Sequence, residues 1–318
     1  MFPYILTLFV SPLVLCWAVL AHAQPAANLA GNGDVNAVAG RVGFAQDTLA
    51  NDWRLMQVKD VERGLADYPN IEFIVTDGEG SIALQAQQIR ELADSVDVLI
   101  TSPRSEAVLS KIISRIHAQG TPVILLSRGI HGDSYTSFVY AQNELIGQQA
   151  GEFMGEAING TGNVLMLQGV PGASVTTERT QGFMAAMGAY PDIQVITKVA
   201  NYLRADSIRA VREVLANQTA FDAIFAQSDS MAEGARMALT QAGIDPSSLP
   251  IVGIDYIRSA RDALLNGQQS LSFTYPTGGQ EGAELAVRLL KGETVPKRVE
   301  VPFIRVTPDN ATDVEPIF

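Results

Sequence analysis

The sequence predicts an α/β protein built as two similar Rossmann-like lobes, each a parallel sheet flanked by helices, with a cleft between them. Three observations lead there. From Arg41 onward, short apolar strand-like runs alternate with segments of helical period, the rhythm of βαβ units with right-handed crossovers. The rhythm occurs twice, although no residue-level repeat relates the two halves. Polar and aromatic residues recur just after the apolar runs, at the sheet edge where α/β proteins hold their ligands.

The strand-like runs are, in order, Val42–Ala45, Ile71–Thr76, Val96–Ile100, Pro122–Leu126 and Ser137–Ala141, then Asn163–Leu167, Ile193–Lys198, Ala223–Ala226, Ile251–Ile254 and Gln269–Thr274. They divide after Ala141 into two expected sheets of five. Helical patterns lie between them. Leu55, Val58, Val61 and Leu65 form the apolar face of the first, and the segments Ile82–Ala93 and Ser105–Ala118 behave alike. In the second half, Val164–Leu167 reads as a strand buried on both faces, and Gly169, Pro171 and Gly172 break it. Ser174, Thr176 and Thr177 are candidate caps of the helix that follows, which carries Phe183, Met184 and Met187. Arg179 then falls in its first turn. It either projects over the sheet edge, where its fork of donors suits hydroxyls, a carboxylate or a phosphate, or makes an ordinary surface pair.

The expected cleft edge is read strand by strand. It carries Gln46-Asp47 and Asn51-Asp52-Trp53-Arg54, then Asp77-Gly78-Glu79-Gly80, Thr101-Ser102-Pro103-Arg104 and Ser127-Arg128-Gly129. In the second half it carries Gln168-Gly169 leading to Arg179, Tyr202 and Arg204, Gln227-Ser228-Asp229 and Asp255-Tyr256. A Trp, a Tyr and several Arg at equivalent positions compose a site for a small polar ligand. Loop polarity would explain most of these residues singly, but not together.

Several chemistries lack support. No GxGxxG follows the first strand and no GxxxxGK[ST] occurs. His117 and His131 have no partner at metal-ligand spacing, so neither a metal nor a cofactor is expected. There is no GxSxG elbow. Asp229 and Asp255 are the raw material of a glycosidase pair, yet acceptors for sugar hydroxyls need no pairing, and a binding role without catalysis is expected. The net charge of −12 argues against nucleic acid and anionic membranes as partners.

Residues 1–23 hold no Lys, Arg, Asp or Glu and end in Ala21-His22-Ala23. This is an apolar core before a small-x-small site, so export with cleavage after Ala23 is expected. An uncleaved anchor is the alternative the length permits. Cys16 lies within this run behind Leu15, where a lipoprotein box needs Gly or Ala, and it is the chain's single cysteine. The mature protein therefore has no thiol nucleophile, Cys zinc site or disulfide. Cleavage leaves about 295 residues, enough for two domains with full cores, opening on a Gly/Ala-rich lead-in.

The motifs VGFAQ…DWR at Val42–Arg54, LLSRG at Leu125–Gly129, LQGVPGASVTTERTQGF at Leu167–Phe183, AQSDSMAEGA at Ala226–Ala235, VGID at Val252–Asp255 and YPTGG at Tyr275–Gly279 together resemble the periplasmic sugar-binding proteins of ABC importers. The likeness is to the ribose-binding-like type I fold, its galactofuranose branch in particular, and covers Arg41–Phe318. It implies lobes at 39–141 plus 275–300 and at 142–274 plus 301–318, joined by three hinge strands near Ala141–Asn143, Phe273–Tyr275 and Val301–Ile304. It implies a stacking aromatic at Trp53, sugar-binding arginines at Arg54, Arg128 and Arg179, a second-lobe aromatic at Tyr202 and a hinge-proximal acid at Asp255. The chain departs from the family at Ser127 (usually Asp), at Ser102 and Ser228 (Asn in ribose binders), at Thr274 or Tyr275 (a Gln) and at Arg104 (apolar in the branch).

The full candidate ligand set is Gln46, Trp53, Arg54, Ser102, Arg104, Ser127, Arg128, Gln142, Arg179, Tyr202, Ser228, Asp229, Asp255, Thr274 and Tyr275. The expected ligand is a monosaccharide or polyol, either neutral or, given the arginines, an aldonate or uronate. A monomer delivering it to an ABC permease in the periplasm is expected, or one presenting it to a chemoreceptor or histidine kinase.

Overall fold

Alternation along β6 (Thr161–Gln168) shows how the layers form. Val164 and Met166 face one side with Phe183 and Met187, while Leu165 and Leu167 face the other with Val211 and Leu239. A strand buried on both faces needs helices on both, and every central strand is covered this way. The computed structural model describes Val35–Phe318. The expected export segment, its cleavage site and nearly all of the lead-in lie outside those residues.

Six strands form the first sheet, in the order β11-β5-β4-β3-β1-β2, all parallel: β1 (Ala39–Gln46), β2 (Asn70–Asp77), β3 (Val98–Thr101), β4 (Val123–Leu126), β5 (Ser137–Tyr140) and β11 (Arg298–Glu300). Helices α1 (Asp52–Leu65) and α9 (Gly279–Leu290) share one face with Val42, Phe44 and Ile100, while α2 (Ile82–Ala93) and α3 (Glu106–Ala118) share the other with Leu99 and Leu125. The second sheet orders β7-β6-β8-β9, with β7 (Asp192–Val199), β8 (Ala223–Ala226) and β9 (Ile251–Val252). It carries α4 (Asn143–Ala157) and α5 (Ser174–Met187) on one face, and α6 (Arg204–Ala216) and α7 (Asp229–Gln241) on the other. A short helix, α8 (Arg258–Leu265), follows β9. Beside β9 runs the segment of β10 (Ser272–Phe273), which joins it only through isolated bridges and pairs antiparallel with β12 (Arg305–Val306).

All ten strand-like runs are strands, but the expected five-and-five division is six and four with a separate two-stranded ladder. The sixth strand, Arg-Val-Glu, is polar and mostly exposed, so it had no apolar signature. Its backbone pairing to β5 makes it a strand. The chain passes between the two sheets three times: from β5 into α4, from β10 to α9, and from β11 to β12.

Close helix packing fixes the site's geometry. Gly147 and Gly151 on α4 face Arg179, Phe183 and Ala186 on α5, and a Cβ at Gly182 would overlap the Glu144 carbonyl. Glycine at these positions lets two backbones approach as larger residues would not. No helix among the described residues is long and apolar enough to cross a membrane.

Candidate functional site

The carboxyl ends of β1, β4, β6, β7, β8 and β9 converge on a cavity between the two sheets, as the crevice rule for open α/β sheets requires. Asp47, Asn51, Trp53, Arg54, Ser127 and Arg128 come from the first half, and Val170, Arg179, Tyr202, Ser228 and Asp255 from the second. Tyr275, on a crossing segment, completes the wall. The void among these residues, open mouth included, is about 430 Å³. Direct bonds close the halves over it: Asn51 Nδ2 donates to the Tyr202 carbonyl at 2.6 Å, Gly129 N–H to Ser174 Oγ at 2.9 Å and Glu106 N–H to the Gly172 carbonyl at 2.9 Å. Arg204 and Asp52 add a partly exposed pair at 3.5 Å.

Charge is arranged around Asp47, which is fully buried. Its Oδ2 accepts from Arg128 at 2.8 Å and lies 3.4 Å from Arg104, while Oδ1 lies 3.4 Å from Arg54 Nε. Burial pushes this carboxyl up, but the Arg128 and Arg54 charges and the Arg128 hydrogen bond outweigh it and hold it below the usual carboxylate range. Arg54 is brought down to about 10 by burial and by the neighbouring Arg128 charge. It donates to Ser102 at 2.7 Å, Ser127 at 3.1 Å and Gln57 at 3.2 Å.

In the second half, Arg179 is buried and donates through Nε to Asn143 Oδ1 at 2.9 Å and through Nη1 to the Gln227 carbonyl at 2.6 Å. Its guanidinium carbon lies 4.4 Å from the Tyr275 ring centre. Asp255 lines the cavity with its carboxyl pushed well above the ordinary value, first by burial and also by the nearby Asp229 charge, against the pull of Arg179. Trp53 packs on Tyr275 with ring centres 5.4 Å apart and donates to its carbonyl at 2.9 Å. Tyr202 hydrogen-bonds Thr176 at 2.8 Å.

Three of these residues hold positive φ: Ser127 at 60°, Tyr202 at 62° and Asp255 at 113°. Non-glycine residues there are strained and concentrate at functional sites. At Ser127 the turn is tight, since Arg128 N–H donates to the Leu126 carbonyl at 2.7 Å and swings the arginine inward.

Trp53, Arg54, Ser127, Arg128, Arg179, Tyr202, Ser228, Asp255 and Tyr275 line the cavity; the other candidates do not. Gln46 is buried behind the wall, bonded to Gln57 at 3.0 Å. Ser102 stands behind Arg54 as its acceptor, and Arg104 is drawn to Asp47. Gln142 faces outward and donates to Glu300 at 2.6 Å. The Thr274 hydroxyl accepts from Ile304 N–H at 2.8 Å within the strand ladder. Asp229 is locked behind the cavity, accepting from Gln269 at 2.6 Å, Ser272 at 2.5 Å and Tyr256 N–H at 2.7 Å. A paired-carboxylate site with Asp255 is therefore not assembled in the cavity. Arg179 sits in the second turn of α5 rather than the first, because the helix opens at Ser174 with Ala173 as N-cap. The candidate caps serve other partners: Ser174 bonds Gly129, and Thr176 bonds Tyr202.

Sequence reasoning placed Asp47 and Asn51 at the cleft edge without selecting them, and it passed over Thr48, Val170, Val175 and Asn201. Asp47 had a signal: the acid at the end of the first strand is available to the arginines after the fourth. Its pairing spans 81 positions, which spacing does not reveal.

Residues 42–294 match the family model described as periplasmic binding protein domain. The chain therefore belongs to the periplasmic binding protein family, and the relatives it matches are sugar-binding solute binders, not enzymes. It is 26% identical to the ribose import binding protein of Haemophilus influenzae over 82% of this chain and 89% of that one. It is 27% identical to the galactofuranose-binding protein of Escherichia coli, covering 73% and 76% respectively. Among solved structures it resembles the fructose-binding periplasmic domain of a hybrid two-component system, at TM-score 0.79 and 29% identity, covering 86% of this chain and 92% of that one.

Proposed function

We propose that the protein captures a monosaccharide or related polyol by closing two lobes on it, and delivers it to an ABC importer in the periplasm. The observation that carries this is the joint wall: Arg54, Arg128 and Trp53 from one half with Arg179, Tyr202 and Asp255 from the other, around one cavity. A sugar needs what that wall offers. Its C–H face packs on aromatic rings such as Trp53 or Tyr275, and its hydroxyls accept from guanidiniums and donate to an acceptor such as Asp255.

The three passages between the sheets act as a hinge dividing lobes at 39–141 plus 275–300 and at 142–274 plus 301–318. Ligand that bridges both walls favours the closed arrangement, and its differential affinity drives closure. The closed shape is what a permease reads. Export with cleavage after Ala23 and action as a monomer complete the proposal. The likeness to a two-component fructose-binding domain supports a second reading, presentation of the ligand to a sensor.

A thermal-shift panel of pentoses, hexoses, polyols and sugar acids tests the binding role. A ligand at a thousandfold its Kd adds about 4 kcal/mol of stability, a rise of several degrees. A panel without any shift refutes it. Stimulation of a reconstituted permease's ATPase by loaded protein separates delivery from sensing.

A further inference from the structure

We propose that the natural ligand carries one carboxylate, as an aldonate or uronate does, and that this charge sits among Arg54, Arg128 and Arg179. The inference rests on the sugar-binding reading and narrows its ligand class.

The charge count of the cavity motivates it. Three guanidiniums line the void against two carboxyl groups, those of Asp47 and Asp255, an excess of one positive charge. The excess is larger in practice. Asp47 is shared by Arg54, by Arg128 and by Arg104 standing behind the wall, so a single anion answers three cations. Arg179 is held by neutral acceptors, the Asn143 side chain and the Gln227 carbonyl. Asp255 forms no ion pair among the described residues, and burial favours its neutral form. Arg128 also leaves its Nε buried without a hydrogen-bond partner.

Buried charge is costly unless paired. The crowding is visible at Arg54, whose affinity for its proton falls through burial and through Arg128. A monoanion inside the cavity relieves that repulsion, whereas a neutral sugar leaves it standing. A sugar phosphate is the competing anionic class.

Isothermal titration at pH 7 with D-galactonate, D-gluconate and D-galacturonate, beside D-galactose, L-arabinose, D-ribose, D-fructose, myo-inositol and glucose 6-phosphate, tests the proposal. Charge-assisted hydrogen bonds are about twice as strong as neutral ones, so at least one carboxylate sugar is expected to bind tenfold or more tighter than every neutral compound. Arg104→Gln, which removes one cation from the Asp47 cluster, is expected to cut that preference severalfold. Tighter binding of a neutral sugar or of the sugar phosphate overturns the carboxylate inference and leaves the binding role standing. An Arg104→Gln variant with an unchanged preference also counts against it. Silence from every compound overturns the binding role itself.

Discussion

Replacing Asp47 by Asn tests the electrostatic centre of the site. The carboxylate has no solvent exposure and lies within 3.4 Å of nitrogens from Arg54, Arg104 and Arg128, closest to Arg128 at 2.8 Å. One unit-charge pair at 4 Å is worth about 4 kcal/mol at an effective dielectric of 20. Removing one partner of a buried pair costs about 3–5 kcal/mol, because the remaining charge stays buried without compensation. The amide keeps the shape of the carboxylate and loses its charge, so Asp47→Asn should lower stability by about 3–5 kcal/mol and Tm by roughly 6–15 °C. The pH dependence supplies a second readout. Asp47 titrates below its unfolded value, so its contribution is present above about pH 4 and lost as pH falls through the lower folded-state value. Urea unfolding of both proteins from pH 7 to pH 3 should show a gap that is constant to about pH 5 and narrows below pH 4. A gap under about 1 kcal/mol at pH 7, or one that ignores acid, refutes the reasoning. Combining the substitution with Arg128→Met should recover part of the loss, since the two residues are directly coupled.

Two further outcomes follow from buried groups. Asp229 is pushed up to about 6 by burial, against the hydrogen bonds it accepts. A raised folded-state value means its contribution is full below the unfolded value near 4 and is lost as pH rises through about 6, a change of about 3 kcal/mol. Asp229→Asn should therefore flatten the slope of stability against pH between about 4 and 6 in urea titrations, and parallel curves would count against it. Gly182→Ala drives a methyl into the Glu144 carbonyl across the α4–α5 contact and should cost about 1–3 kcal/mol in the same assay. An unaffected midpoint would mean the helices separate more easily than their packing implies.

The strands were legible because each central one is an apolar run long enough to be buried on both faces, as Val164–Leu167 illustrates. Arg298–Glu300 was not, because its place at the sheet edge depends on backbone pairing with β5 and not on side-chain character. At the site, strand ends announced themselves where an apolar run gives way to polar residues, as Leu125-Leu126 does at Ser127-Arg128 and Val252-Gly253-Ile254 does at Asp255. Sequence could not say which way a polar side chain turns at such an end. Ser102 and Gln46 point behind the wall, and Gln142 and Thr274 bond to the crossing segments instead. Direction there is set by partners dozens of positions away, and local spacing holds no record of them.

Asn143 connects the site to the polypeptide's first passage between sheets. Its oxygen receives Arg179, while its amide reaches the Ala141 carbonyl at 3.2 Å and the Tyr275 hydroxyl at 3.3 Å, on a second passage. One side chain thus ties a cavity-lining cation to two of the three passages, and Arg179 also rests directly on the Tyr275 ring. Under the proposed closure, a molecule pulling on Arg179 would tug both passages at once, much as a pulled bell-rope moves its clapper. Occupancy and bending would then be mechanically one event.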